Sequence, residues 1–146
     1  MANHWKDKHH REVSEAKSFS ELLATAHDII DLIPGPASLV AGPISTGGHG
    51  SITKNLKDLG NAIAKIEMQG EYVFNQLPFE AKFGELSKDY DGYCLPILED
   101  FFLPIFKSGK IKKIWFAPGW ETSTGAKWEY ETAGRLGIPR VLIEGK

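Results

Sequence analysis

Apolar residues alternate along this chain between two patterns. In one, they recur every three or four positions, as on the buried face of an amphipathic helix. In the other, they form short unbroken runs between turn residues, as in strands that are buried on both faces. The helical pattern predicts helices over residues 18–33, 52–69, about 96–106 and 123–136. The unbroken runs predict strands over residues 38–44, 71–77, 112–117 and 140–144.

The order of these elements predicts the fold class. Helices and strands alternate, which is typical of α/β proteins with a parallel sheet covered on both faces. We expect a Rossmann-like or flavodoxin-like three-layer sandwich, with a sheet of four to five strands and an extra N-terminal helix. An N-terminal lead and helix, residues 1–37, would precede a domain over residues 38–146.

Turn and capping residues refine these boundaries. Ser18 and Glu21 fit an S-x-x-E capping box at the start of the first helix. Pro104 lies inside the third helix, and we expect it to bend or end that helix. Residues 79–94 contain two glycines and mixed polar residues, so they are predicted to form a long loop. Residues 1–17 are predicted to be a loose lead or part of a helix.

Composition and charge exclude several classes of protein. The chain has 146 residues, which is the size of one domain, and 42% of them are apolar. Its 17 basic and 19 acidic residues give a net charge of −2, which argues against a nucleic-acid binder. No apolar run reaches the roughly 18 residues of a membrane span. The polar N-terminus lacks the apolar core of a signal peptide, so we expect a cytoplasmic protein.

Cysteine and histidine, two side chains that commonly bind metals, are few in this chain. A single cysteine, Cys94, excludes an internal disulfide and a multi-cysteine zinc site. His4, His9 and His10 could bind a metal as a cluster, or could belong to a solvated tail. The sequence shows no other metal-ligand set, so we expect neither a metal nor a cofactor.

A glycine-rich loop follows the first predicted strand. In parallel sheets, ligands bind beyond the carboxyl ends of the strands, and the next helix begins directly after this loop. Its backbone N–H groups could cradle an anion, although the loop could also be a flexible turn. It lacks the Gly-Lys-Ser/Thr of a Walker A loop. The candidate binding residues in it are Gly42, Pro43, Ile44, Ser45, Gly47, Gly48 and His49.

The start of the last helix is the second candidate site. Ser123 lies at its N-terminus, and Gly125 removes a side chain from its first turn. Glu129 lies four residues after Gly125, on the same face and one turn deeper. A carboxylate below a hydroxyl and backbone N–H groups suits a ligand with an anionic end and an electrophilic carbon. Trp120 could stack on a flat ring or belong to the core or a dimer interface, and Glu129 could also be a surface carboxylate.

Two motifs resemble those of a known superfamily. The frame S-x-G-x-x-x-E over residues 123–129 resembles the signature of the nucleoside 2-deoxyribosyltransferase superfamily, most closely its nucleoside 5′-monophosphate N-glycosidase branch and small bacterial and phage relatives. The A-G-P-I motif at 41–44 and the pair Gly47-Gly48 are similar to the first-strand motif and the loop of that branch. The resemblance covers about residues 38–146.

The resemblance implies roles for individual residues. Glu129 would attack C1′ of the sugar and form a covalent glycosyl-enzyme, as in a retaining glycosidase. Ser123 would bind the 5′-phosphate, and the loop over residues 42–48 would frame the sugar and phosphate. The family's general acid is an aspartate, for which Asp100 is the best-placed counterpart. The family's loop arginine is not evident, and His49 could replace it. The alternatives for the general acid are Asp89, Asp91 and Glu121.

Three functions are consistent with this resemblance. The first is hydrolysis of a (deoxy)nucleoside 5′-monophosphate to free base and sugar 5-phosphate. The second is a deoxyribosyltransferase that exchanges bases, and the third is a non-catalytic nucleotide sensor. Superfamily members are usually dimers or larger. Since the third helix has more apolar bulk than one sheet face needs, we expect part of it to pack in a homo-oligomer interface.

Overall fold

The computed structural model of the protein describes residues 4–44, 48, 51–91 and 94–144. Its α-helices are α1 (Asp7–Glu15), α2 (Phe19–Asp31), α3 (Ile52–Met68), α4 (Glu80–Leu86), α5 (Leu103–Lys107) and α6 (Thr124–Leu136). Its strands are β1 (Ala37–Ala41), β2 (Tyr72–Val73), β3 (Ile111–Phe116) and β4 (Arg140–Leu142). The other described elements are 3₁₀ turns at Leu77–Phe79 and Trp120–Thr122 and a π-helical turn at Ile97–Phe102.

These strands form one parallel sheet in the order β2-β1-β3-β4. The predicted α/β class is confirmed, and the sheet is consistent with a Rossmann-like or flavodoxin-like sandwich. The chain order reverses at β1, because β2 lies on one side of it and β3 on the other. Such a reversal opens a crevice at the carboxyl ends of the strands. Gly42 follows β1 there, and Ala117 follows β3.

The central strand shows where the core lies. Every residue of β1 is buried, as expected for a strand covered on both faces. Val40 packs with Leu59 and Ile63 of α3 in one apolar cluster. Leu39 and Ala41 belong to the larger cluster on the opposite face. Each face of the sheet therefore has its own apolar layer.

The N-terminal residues belong to the larger cluster. Trp5, Val13 and Ala16 are buried in it together with Leu22 and Ile29 of α2. The core is thus continuous across the boundary expected at residue 37. Since α1 occupies most of the lead, the helical alternative for residues 1–17 is the one observed in the described part of that segment.

His9 has a structural role in this lead. The backbone N–H of Lys6 donates to His9 Nδ1 at 2.9 Å, which leaves Nε2 to donate to Asp28 Oδ2 at 2.7 Å. The His9 ring is fully buried and joins α1 to α2. It therefore belongs neither to a solvated tail nor to a metal cluster. No group of three or more potential metal ligands occurs among the residues that the structure describes.

The segment predicted as a loop over residues 79–94 is helical in its first half, so that prediction is wrong there. A 3₁₀ turn leads into α4, and Phe79 and Phe83 are buried one turn apart. Their rings each lie 5.0 Å from the ring of Phe101. Packing against this ring outweighs the low helix propensity of Gly84.

Pro104 interrupts the third predicted helix without ending it. Proline has no N–H to donate to the carbonyl of Asp100, and its ring would clash with that carbonyl in a regular α-helix. The chain widens into the π-helical turn just before Pro104 and continues as α5, with Pro104 in its first turn. A local change of helical geometry thus takes the place of a break.

The apolar bulk of this helical segment is covered within the chain. Leu98, Phe101, Phe102, Ile105 and Phe106 are each at most 5% exposed. The helix α2 packs directly on the π-helical turn. Apart from Leu95, which is exposed, this bulk therefore gives no argument for a second subunit, and the homo-oligomer stays a prediction.

Candidate active site

A cavity of about 760 Å³, the main cavity, opens at the carboxyl end of the sheet beside the N-terminus of α6. The predicted site residues that line it are Gly42, Ile44, Ser123, Gly125 and Glu129. The two motifs that carry the family resemblance therefore meet in one cavity. The parallel sheet explains this, because the two motifs follow the carboxyl ends of the neighbouring strands β1 and β3.

The start of α6 positions three of these residues. Ser123 is the N-cap, and its hydroxyl accepts a hydrogen bond from the backbone N–H of Ala126 at 3.2 Å. Gly125 and Glu129 follow on the buried face of the helix. The first turn presents backbone N–H groups and the positive end of the helix dipole, an arrangement that favours an anion.

Glu129 carries the most unusual carboxyl group of the site. The residue is 6% exposed, and its Oε2 is buried with no hydrogen-bond partner. Burial raises the pKa of Glu129 to about 8, and the nearby charge of Glu80 adds to the rise. A buried acceptor without a partner costs free energy in the folded chain, so it marks a position where a ligand can supply the missing contact.

Glu80 is the second carboxyl group in the main cavity, and it was not predicted from the sequence. It is the first residue of α4, directly after the 3₁₀ turn that follows β2. Although Glu80 keeps some contact with solvent, burial raises its pKa to about 8 as well. The signal that could have found it is its position shortly after the carboxyl end of a strand, at the edge where ligands bind.

Gln76 also lines the main cavity and was not predicted. Its Nε2 donates to the carbonyl of Val40 at 3.2 Å, and this bond fixes the orientation of the amide because a carbonyl can only accept. The remaining oxygen, Oε1, is buried without a partner. The wall of the cavity therefore holds a second buried polar atom without a hydrogen-bond partner.

Asp100 does not join this site. It is exposed and lines a separate cleft with Lys17, Ser18 and Glu99. The residues of the π-helical turn that line the main cavity are Ile97, Leu98 and Phe102, and Asp100 is not among them. The position of Asp100 therefore does not support the expectation that it is the general acid.

The other acidic alternatives do not take its place. Asp89, Asp91 and Glu121 are all exposed, and none of them belongs to the described lining of the main cavity. Among the described residues, Glu80 and Glu129 are the acidic residues that line it.

Trp120 packs away from the main cavity. Its ring stacks on Tyr130 at 4.4 Å and lies 5.4 Å from the ring of Phe116. The guanidinium of Arg140 lies over the same Tyr130 ring, 4.2 Å from its centre. Of the alternatives for Trp120, the structure shows packing against the core.

The glycine-rich loop is described only in part. Pro43 and Gly48 line a smaller cavity of about 430 Å³, which shares Gly42 with the main cavity. Gly48 adopts φ +60°, a conformation that favours glycine, and its N–H donates to Thr122 Oγ1 at 2.7 Å. Ser45, Gly47 and His49 lie outside the described residues. No lysine, arginine or histidine is present among the described residues that line the main cavity.

Comparison with known proteins finds no relative for this chain. No family model matches it, and neither the curated proteins nor the solved structures contain a match. In the described part of the chain, no helix is long and apolar enough to cross a membrane.

Proposed function

We propose that the protein hydrolyses the N-glycosidic bond of a (deoxy)nucleoside 5′-monophosphate through a covalent intermediate on Glu129. One observation carries the proposal: Glu129 Oε2 is buried without a partner in a cavity that also holds a second carboxyl group of raised pKa. Paired carboxyl groups are the machinery of glycoside hydrolysis in both retaining and inverting enzymes. The resemblance of residues 123–129 to the N-glycosidase motif supports the choice of substrate.

The two carboxyl groups divide the chemistry. Ionised Glu129 attacks C1′, so a C1′–O bond forms while the C1′–N bond breaks. The electron pair of the broken bond goes to the leaving base, which takes a proton from the carboxylic acid of Glu80. Water then attacks C1′ and gives a proton to the Glu80 carboxylate, and the Glu129 carboxylate is released. The products are the free base and the sugar 5-phosphate.

The raised pKa values of Glu129 and Glu80 suit a pair of carboxyl groups that holds a single proton near pH 8. When two nearby carboxyl groups both resist ionisation, the pair loses its protons in two steps, and between them one group is ionised while the other keeps its proton. That intermediate state is the active one. Because burial raises both pKa values to about 8, we expect kcat/KM to peak near pH 8 and to fall on either side.

The N-terminus of α6 would hold the phosphate. Ser123 supplies a hydroxyl group, and the first turn supplies backbone N–H groups and the helix dipole. Gly125 is buried there without a side chain, so an anion could approach the backbone closely. The groups proposed to hold the phosphate are thus all neutral, and they all belong to described residues.

A release assay tests the proposal. Wild-type protein and three variants are incubated with a panel of ribo- and deoxynucleoside 5′-monophosphates, and free base is followed by chromatography. We expect Glu129→Gln to abolish release and Glu80→Gln to lower kcat by about 10²- to 10⁴-fold, the usual contribution of a general acid. Glu131→Gln, which changes an exposed residue of the same helix, is the matched control and should retain full activity.

The same assay separates the alternatives. Equal release by wild type and Glu129→Gln would contradict the proposed nucleophile. Exchange of an added second base in place of hydrolysis would identify a deoxyribosyltransferase. Thermal stabilisation by a nucleotide that stays intact would point to a sensor.

A further inference from the structure

The main cavity extends well beyond its carboxyl groups. On the side formed by α4 and the π-helical turn, the lining is almost entirely apolar. We call this part the apolar lobe, and its residues are Ala81, Phe83, Gly84, Ile97, Leu98 and Phe102. We propose that the apolar lobe binds an apolar substituent on the leaving base, so that the substrate is a nucleotide with a base modified in this way. This inference rests on the proposed function and names its substrate class.

Gly84 is the first observation behind the proposal. It lies inside α4, where alanine would be more favourable because glycine loses more backbone freedom on helix formation. A Cβ at this position would meet no atom within 4 Å. Gly134 of α6 differs, since a Cβ there would lie 2.9 Å from Arg140 Nη1. Gly84 is exposed and lines the main cavity, so the absence of a side chain there leaves the apolar lobe open to solvent.

The inner wall of the apolar lobe is preformed. Phe83, Leu98 and Phe102 are each at most 5% exposed. The rings of Phe83 and Phe102 meet edge to face at 6.0 Å, and the ring of Phe102 lies 4.9 Å from that of Phe101. An apolar group that enters the lobe would therefore be buried against side chains already held in place, which favours binding.

Two buried polar atoms show that the same cavity is suited to a ligand. Gln76 Oε1 and Glu129 Oε2 both lack a partner, and both residues line the main cavity together with the apolar lobe. A molecule that satisfies them and also fills the lobe must have a polar part and an apolar part. An unmodified base supplies a polar edge and a flat ring, and a substituent on the base would add the apolar bulk that the lobe can hold. The continuity of the lobe with these atoms favours a small molecule over a segment of a second chain.

Calorimetry with free bases tests the inference without requiring catalysis. The probes are two pairs, adenine with 6-benzylaminopurine and cytosine with N4-benzylcytosine, and the members of each pair differ only by the benzyl group. We expect the benzyl compound of at least one pair to bind the full chain at least ~10-fold more tightly, as burial of an aromatic group predicts. Gly84→Leu should remove most of this preference and leave binding of the unmodified base within about twofold of wild type, because Leu would fill only the lobe. Gly84→Ala should have an intermediate effect.

Gly60→Ala is the matched control. Gly60 is also a helical glycine, and a Cβ there would make only an ordinary contact with Leu77 at 3.4 Å. This variant should keep the full preference, and its folding is checked by circular dichroism together with that of the Gly84 variants. If Gly84→Leu does not fold, the benzyl preference of wild type and its decrease in Gly84→Ala still test the inference.

The outcomes distinguish this inference from the proposed function. Equal affinity within both pairs, or no binding of any probe, would overturn the inference. A benzyl preference that persists in both Gly84→Ala and Gly84→Leu would also overturn it. So would a wild-type dimer that dissociates in Gly84→Leu, because a second chain would then fill the lobe. A benzyl preference that depends on Gly84, together with no cleavage of any nucleotide, would leave the lobe in place and reject the glycosidase.

Discussion

The carboxyl groups of Glu129 and Glu80 make the stability of this protein depend on pH. In the unfolded chain both groups ionise near their ordinary pKa, whereas burial raises their pKa to about 8 in the folded chain. Between these values the folded chain holds more protons than the unfolded chain. The free energy of unfolding must therefore fall as the pH rises from about 5 to 8. Ligand contacts to the same oxygens would offset this loss.

Replacing Glu129 by glutamine should remove part of this dependence. We expect Glu129→Gln to resemble wild type at pH 5 and to be more stable at pH 8 by roughly 3–4 kcal/mol, because the pKa of Glu129 rises from its ordinary value of 4.5 to about 8 on folding. Urea unfolding at the two pH values measures the difference. Glu131→Gln serves as the control, because Glu131 is exposed. A difference between variant and wild type that is the same at both pH values would contradict a raised pKa at Glu129.

Single residues differ in how far the sequence could predict them. Ser123, Gly125 and Glu129 share one short motif, and the spacing of that motif fixes their relative positions on a helix. Gln76 and Glu80 belong to no such motif. Their place in the cavity depends on how the chain turns after β2, which is decided by packing between distant segments. No local pattern reports that packing.

At the scale of elements, the long helices and the strands were predictable because each has a strong pattern of its own. The strands β1, β2 and β4 end earlier than predicted, so residues 42–44, 74–77 and 143–144 lie outside them. The helix α4 was missed because Gly84 and the turn residues after it suggest a loop. The aromatic contacts that stabilise α4 come from the π-helical turn, which is itself a product of tertiary packing.

Two N-caps allow the helical and the proposed chemical roles of Ser123 to be separated. Ser18 caps α2 and accepts from the N–H of Glu21 at 3.2 Å, the same length as the cap of Ser123 on α6. We expect Ser18→Ala and Ser123→Ala each to lose about 1 kcal/mol of stability. Only Ser123→Ala should also raise KM for a nucleotide, since Ser123 lines the main cavity.

Thermal unfolding and steady-state kinetics of the two variants provide the measurement. A similar rise of KM in both would show that the effect of Ser123→Ala is one of stability alone. An unchanged KM in Ser123→Ala would argue against a contact between its hydroxyl group and the phosphate.

At the scale of the whole molecule, the N-terminal segment is bound to the wall of the main cavity. The Trp5 indole N–H donates to the carbonyl of Asn75 at 2.7 Å, and its ring packs 4.9 Å from that of Phe79. The ammonium group of Lys82 donates to the carbonyl of Ser14 at 2.9 Å. These contacts hold both ends of the segment over residues 75–82, which carries Gln76 and Glu80. The lead therefore supports the site although its described residues do not line the main cavity.

Removal of residues 1–36 should therefore destroy the fold. Without α1 and α2, the apolar side chains of the π-helical turn would be exposed to water, at a cost comparable to the usual net stability of a domain. We expect the fragment 37–146 to show no cooperative thermal transition, whereas the full chain unfolds in a single step. A fragment that unfolds cooperatively at a similar temperature would show that the core over residues 37–146 is sufficient.

The central position of β1 has a consequence for the order of events during synthesis. The ribosome makes β1 before both of its partners, because this strand pairs with β2 on one side and with β3 on the other. Until β3 leaves the ribosome, β1 has at most one short partner strand, although it is fully buried in the folded protein. Contacts between segments so distant in sequence form slowly. The nascent chain must therefore keep an apolar segment from aggregating until residues 111–116 have been made, and we expect chaperones that bind short apolar stretches to protect it.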